Sequence, residues 1–165
     1  MLNTNIKLQR AQGNIDVKII NNKISKFYQS GSSKVFYPKC YNQFNELILV
    51  NTAGGITSGD KFSYDIEVQK SNILVTTQTA ERAYKGFENM GEIKVKLTVD
   101  DNSTLLWIPQ ELILFNNCNL SREIEVNLNK EKSNCSILSA LNITDHEHQE
   151  IKTRINHYAP NCESY

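Results

Sequence analysis

No stretch of the 165 residues approaches the roughly 18 consecutive apolar residues that a membrane-spanning helix requires. Net charge is also lacking, since 18 lysines and arginines balance 18 aspartates and glutamates. That balance argues against nucleic acid as the main partner, because phosphate binding needs a basic surplus on some face. A neutral surface resists association poorly, which suits a protein that lives in an assembly. The four cysteines, Cys40, Cys118, Cys135 and Cys162, form no CxxC pair, and their gaps are too long for a zinc site. The N-terminus, Met1 to Lys7, lacks the apolar segment of a signal peptide. The expectation is therefore a cytoplasmic protein with reduced thiols. No window of twelve or more residues carries a clean i, i+3, i+4, i+7 apolar stripe.

What is present is an ordinary globular composition, 39% apolar and 22% charged, in a length that suits one domain. Residues 14–20 and 93–99 alternate apolar and polar side chains, the period of a half-buried strand. Residues 46–50, 72–77, 104–108 and 122–128 read similarly. Turn signals separate them at Gly31–Ser33, Gly54-Gly55, Asp100–Ser103, Asn116–Asn119 and Asn129–Asn134. Short strands at this spacing predict a mostly β architecture, sandwich or solenoid, with few or no helices. One short helix is allowed around Thr79–Lys85, and no internal repeat unit aligns. From about Thr144 the texture changes to histidine, glutamate and glutamine, and Tyr165 follows a strand-like segment in a way that looks cut.

Four segments could carry chemistry. Asn51–Asp60 packs Gly54, Gly55 and Gly59 behind an apolar run, which demands positive φ or close packing. It matches neither GxGxxG nor the P-loop, and no convincing helix follows, so a phosphate cradle is disfavoured. The plainer reading is a tight connection between strands with Asp60 bonding the turn. In Val75–Tyr84, Glu81 could serve as a general base, but a structural ion pair or solvated charges at Glu81 and Arg82 fit better. Leu105–Phe115 sets Pro109, Gln110 and Glu111 between apolar stretches, predicting kinked or bulged strands with polar groups in a buried element. A buried Glu111 would need a partner, and Trp107 is expected in the core. His146 and His148, at i and i+2, with His157 and Cys162 behind them, could share a borderline metal such as nickel or zinc. No nucleophile elbow, Ser/His/Asp set or HExxH helix is visible, so no catalytic residue is assigned.

In this order and spacing the segments resemble the UreD (UreH) family of urease accessory proteins. The resemblance begins at Leu8–Gly13, runs through Phe27–Gly31 and Lys34–Pro38, takes in Asn51–Asp60, Thr76–Tyr84 and Trp107–Phe115, and covers roughly residues 6–141. It implies a many-stranded β fold, with the sheet left incomplete at the C-terminus, and a non-enzymatic, cytoplasmic maturation factor. Such a factor would bind apo-urease, UreF and UreG and help deliver nickel, with no tightly bound cofactor and no nucleic acid or membrane partner. It further implies a polar passage for nickel, for which Asp60, Glu81, Gln110 and Glu111 are the candidate lining groups. Oxygen ligands held loosely would let a cation move. Gly54, Gly55, Gly59, Arg82, Trp107 and Pro109 are assigned structural roles within the motifs. The implied organisation is a UreD-like β domain over residues 1–141 and a divergent tail over 142–165. The tail, from His148 to Tyr165, is similar to part of the SufB/SufD family of iron–sulfur assembly scaffolds. A fusion of truncated reading frames would explain that combination, and an iron–sulfur role resting on Cys162 and His157 is the alternative function.

Overall fold

Residues 9–39, 43–86, 89–139 and 151–165 are described in the computed structural model. They form fourteen strands and no helix, in two six-stranded sheets and a two-stranded side sheet. The first sheet holds, in spatial order, β13 (Ile151–His157), β11 (Leu120–Leu128), β8 (Gly91–Asp100), β5 (Lys61–Gln69), β1 (Gln12–Ile20) and β2 (Lys23–Gly31). The second holds β14 (Glu163–Ser164), β12 (Asn134–Ile137), β9 (Thr104–Trp107), β6 (Asn72–Gln78), β4 (Asn45–Asn51) and β3 (Ser33–Phe36). β7 (Glu81–Ala83) pairs with β10 (Leu112–Leu114) on the side.

Pairing is parallel except where β2 meets β1 and β3 meets β4. After those two hairpins the chain winds repeatedly from first sheet to second to side, so the fold is a solenoid. The expected mostly β architecture is what forms. The short helix allowed around Thr79–Lys85 does not: Glu81–Ala83 is a strand, held in register against Leu112–Leu114. Ile56 of the glycine-rich loop bridges to Ala83, so that loop occupies the side position one rung earlier.

The winding exposes a repeat that does not align by eye. Each passage from the first sheet to the second turns at a left-handed residue, Lys70, Asn102, Lys132 or Asn161, with φ between 49° and 58°. The next residues are Ser71, Ser103, Ser133 and Cys162, spaced 32, 30 and 29 residues apart. The three serines are buried. Their hydroxyls link corners or close them: the Ser71 N–H donates to Ser103 Oγ, and Ser71 Oγ donates to the Gln69 carbonyl. A left-handed turn costs an ordinary side chain about a kilocalorie per mole, so the corner bonds have a strain to offset.

Inward residues of both large sheets merge into one core, with Ile19, Leu47, Ile66, Ile73, Leu97 and Trp107 among its fully buried members. Outward positions alternate with them and carry the charge, as the sequence period requires. β13 and β14 belong to the same ladders. Ile151–His157 lies in parallel register on Arg122–Leu128, and Glu163 and Ser164 lie on Asn134 and Cys135. The tail therefore adds a rung to the solenoid.

Candidate functional site

The alternation of β11 places Arg122 in phase with Ile124, Val126 and Leu128, so its guanidinium points into the core. β7 likewise turns Glu81 inward, in phase with buried Ala83 and opposite to exposed Arg82. The two meet with Arg122 Nη2 2.8 Å from Glu81 Oε2, their side chains 5% and 6% exposed. Glu81 thus pairs with a residue several strands downstream, not with its neighbour Arg82. Nε and Nη2 of Arg122 have no hydrogen-bond acceptor in good geometry among the described residues, so the contact is an ion pair by proximity.

Two further polar groups share this interior. Tyr64, inward on β5, is 3% exposed. Burial, then the Glu81 carboxylate, push its phenol up to about 12, against the opposing pull of the Ser33 hydroxyl and Arg122. Ser33 on β3 is fully buried. The indole N–H of Trp107 is buried with no acceptor among the described residues. Glu81, Arg122, Tyr64 and Ser33 are thus a polar cluster in an otherwise apolar interior. Arg122, Tyr64 and Ser33 escape a motif-based reading, although an arginine in the apolar phase of residues 120–128 is a visible signal.

Asp60 is buried and fully employed. Its Oδ1 accepts the Ala11 N–H and its Oδ2 the Thr57 N–H, both at 2.8 Å. That is the turn-bonding role anticipated for it, joining the glycine-rich loop to the start of β1. In the same loop Gly54 and Gly59 take φ of 80° and 79°. Gly55 lies so close to Tyr84 that a Cβ there would come within 2.2 Å of the ring. Tyr84 stacks in turn on Phe115, with ring centroids 5.0 Å apart.

Gln110 and Glu111 are exposed, which corrects the expectation of polar groups inside a buried element. Pro109 ends β9, and the chain leaves the second sheet for the side before β10 begins, so residues 110 and 111 occupy a corner. Backbone bonds tie that corner down: the Gln110 N–H donates to Thr77 Oγ1 at 2.9 Å, and the Glu81 N–H to the Glu111 carbonyl at 2.9 Å. Trp107 is fully buried, as expected.

His146 and His148 lie outside the described residues. Cys162 is half-buried, with Sγ 3.0 Å from the Lys130 carbonyl, in the corner position that serine fills on earlier rungs. His157 Nε2 lies 3.1 Å from Ser164 Oγ. Among the described residues no three of His, Cys, Asp and Glu gather as a metal would require. Cys118, Cys135 and Cys162 are in no disulfide, and no helix among the described residues is long and apolar enough to cross a membrane.

The family model of the UreD urease accessory protein matches residues 10–141. The chain belongs to the UreD family. A urease accessory protein UreD of Jannaschia sp. (strain CCS1) is 39% identical over 120 residues, 73% of this chain and 45% of that protein. That of Paracoccus denitrificans is 40% identical over 124 residues, 74% of this chain and 44% of that protein. That of Mesorhizobium japonicum is 36% identical over 107 residues. The chain thus spans less than half the length of these UreD relatives. Glu81, Arg122, Tyr64 and Ser33 all fall inside the UreD match, whereas β13 and β14 lie beyond it. The likeness of the tail to SufB/SufD gains no support from these matches, and its strands follow the ladders of the UreD-family segment.

Proposed function

We propose that this UreD-family chain serves urease maturation as a binding scaffold rather than by bond chemistry. The observation that carries the reading is the family match across residues 10–141. On this reading its partners are apo-urease, UreF and UreG, its location is cytoplasmic, and nickel is cargo in transit rather than a resident cofactor.

Of the four passage candidates, Glu81 fits such a role best. Its carboxylate faces the interior beside Tyr64, and among the described residues its Oε2 accepts no hydrogen bond in good geometry, whereas both oxygens of Asp60 are engaged by N–H groups. Gln110 and Glu111 would serve at an outer corner. Any cation at Glu81 must compete with the Arg122 guanidinium, which favours brief occupancy.

The test is co-expression with UreF and the urease structural subunits, followed by pull-down and nickel quantification. The reading expects a complex that raises nickel occupancy of urease, and expects Glu81→Gln to lower occupancy without breaking the complex. Failure of the wild-type chain to co-purify would overturn the scaffold role. Unchanged activation by Glu81→Gln and by Asp60→Ala with Glu111→Ala would remove the passage.

A further inference from the structure

The charge on outward positions is concentrated on the first sheet, where Asp65, Glu67, Lys94, Lys96, Glu123 and Glu125 alternate with the core. The second sheet alternates as regularly, but with apolar residues on its outer side. Phe36 on β3, Ile48 and Val50 on β4, Leu74 on β6 and Leu106 on β9 all stand in the phase opposite to the core. They adjoin one another, since Phe36 is in register with Ile48 and Leu74 with Leu106. Phe36 is 56% exposed and the others are half-buried. From these four strands only Lys34 and Glu46 bring charge to the face, and neither is in an ion pair among the described residues. Parallel sheets occur almost only with both faces covered. This face belongs to paired strands rather than to an open edge, and the described residues leave it uncovered.

We propose that the outer face of the second sheet is where two copies of this chain pack against each other. The two charges make the face self-complementary. Lys34 and Val50 lie two residues to one side of the Phe36–Ile48 row, and Glu46 lies two residues to the other. A two-fold axis between two such faces, perpendicular to the strands and level with that row, sets Ile48 over Ile48 and Phe36 over Phe36. The same rotation carries Lys34 of each copy to the level of Glu46 of the other, one strand spacing away, about 4.8 Å before side chains adjust. The chain has a net charge of zero, so no long-range repulsion opposes the approach. Five strands about 4.8 Å apart and about six residues long give a face of roughly 24 Å by 20 Å. Two copies then bury on the order of 1,000 Å² between them, the lower bound for a specific interface. The contact is isologous, so it closes at two copies.

The test is sedimentation equilibrium of the whole chain from about 1 to about 200 μM, a range set by the small area. A monomer passing to a dimer is expected, with no larger species. Ile48→Lys, which sets two cations on the axis, is expected to leave only monomer. Glu46→Lys places like charges together and is expected to weaken the dimer about tenfold. Adding Lys34→Glu to Glu46→Lys exchanges the two charges and is expected to restore the wild-type dissociation constant to within about threefold. A loss of fold would not be repaired by that exchange, so the double variant separates contact from stability. A monomer at every concentration, open-ended aggregation, a dimer indifferent to Ile48→Lys, or a double variant no better than Glu46→Lys would each overturn the proposal. So would a monomeric chain that loses capture of another protein in Ile48→Lys, which would assign the face to that partner. Dimerisation is read without urease or UreF, so this inference and the scaffold reading fail separately.

Discussion

Removing one member of the Glu81–Arg122 pair tests the interior most directly. The Arg122→Met variant keeps the aliphatic length of the side chain and leaves Glu81 as a buried carboxylate without its counter-ion. Both side chains are at most 6% exposed and 2.8 Å apart, so solvent cannot screen the loss. Breaking such a pair typically costs about 3–5 kcal/mol, which at about 2–4 °C per kcal/mol for a chain of this size lowers the melting temperature by about 6–20 °C. Replacing both members, as in Glu81→Leu with Arg122→Met, is expected to restore stability to within about 1 kcal/mol of wild type or to exceed it, because two desolvation costs vanish with the attraction. The assay is urea unfolding of wild type, both single variants and the double variant, read as a double-mutant cycle. A single-variant loss below about 1 kcal/mol would refute the argument, since it would mean that water already surrounds the pair.

Other outcomes follow from other groups. Tyr64 should be the last tyrosine to ionise in a spectroscopic titration at 295 nm, and Tyr64→Phe should delete that late step. Its phenol is raised from 10.0 to about 12 in the fold, so the stability linked to it is complete below pH 10 and is lost as pH rises toward 12. Asp60→Ala strands two backbone N–H groups and should cost about 3 kcal/mol in urea unfolding, with Asp60→Asn costing less because one acceptor survives. Gly55→Ala should cost about 1–3 kcal/mol by overpacking against Tyr84, and Tyr84→Ala in the same chain should relieve most of that increment. Cys162→Ser should change the melting temperature by under about 2 °C, since serine already fills the three preceding corners.

The sequence discloses those parts of the fold where one face meets the core and the other meets water. β1, β4, β6, β8, β9 and β11 are legible for that reason. β2 escapes because most of its side chains are exposed on both faces, leaving no period to detect. β7, β10 and β14 are too short to show a period at all. The repeat is hidden because its geometry is met by different residue types: lysine and asparagine both take the left-handed corner, and cysteine stands in for serine on the last rung described. At the candidate site, Asp60 is readable because its bonds are local, three residues away in one case. The partner of Glu81 is not, because parallel winding brings together residues from different rungs. Gln110 and Glu111 mislead because apolar neighbours on both sides suggest a buried run, whereas Pro109 marks the corner where the chain changes sheets.

The parallel winding also makes the molecule one-dimensional in an energetic sense. Each strand of the large sheets hydrogen-bonds only to the strand before and after it in the stack, so stability is close to a sum of rung terms and nearest-neighbour couplings. Disruption in such a stack travels like a zipper from its ends, and an interior rung opens only after an outer one has let go. Amide exchange should therefore be graded along the axis, fastest at β2, β3, β13 and β14, which have one neighbour each among the described residues, and slowest at β5 and β8. Mechanical pulling on the tail should yield discrete steps of about thirty residues rather than one collapse.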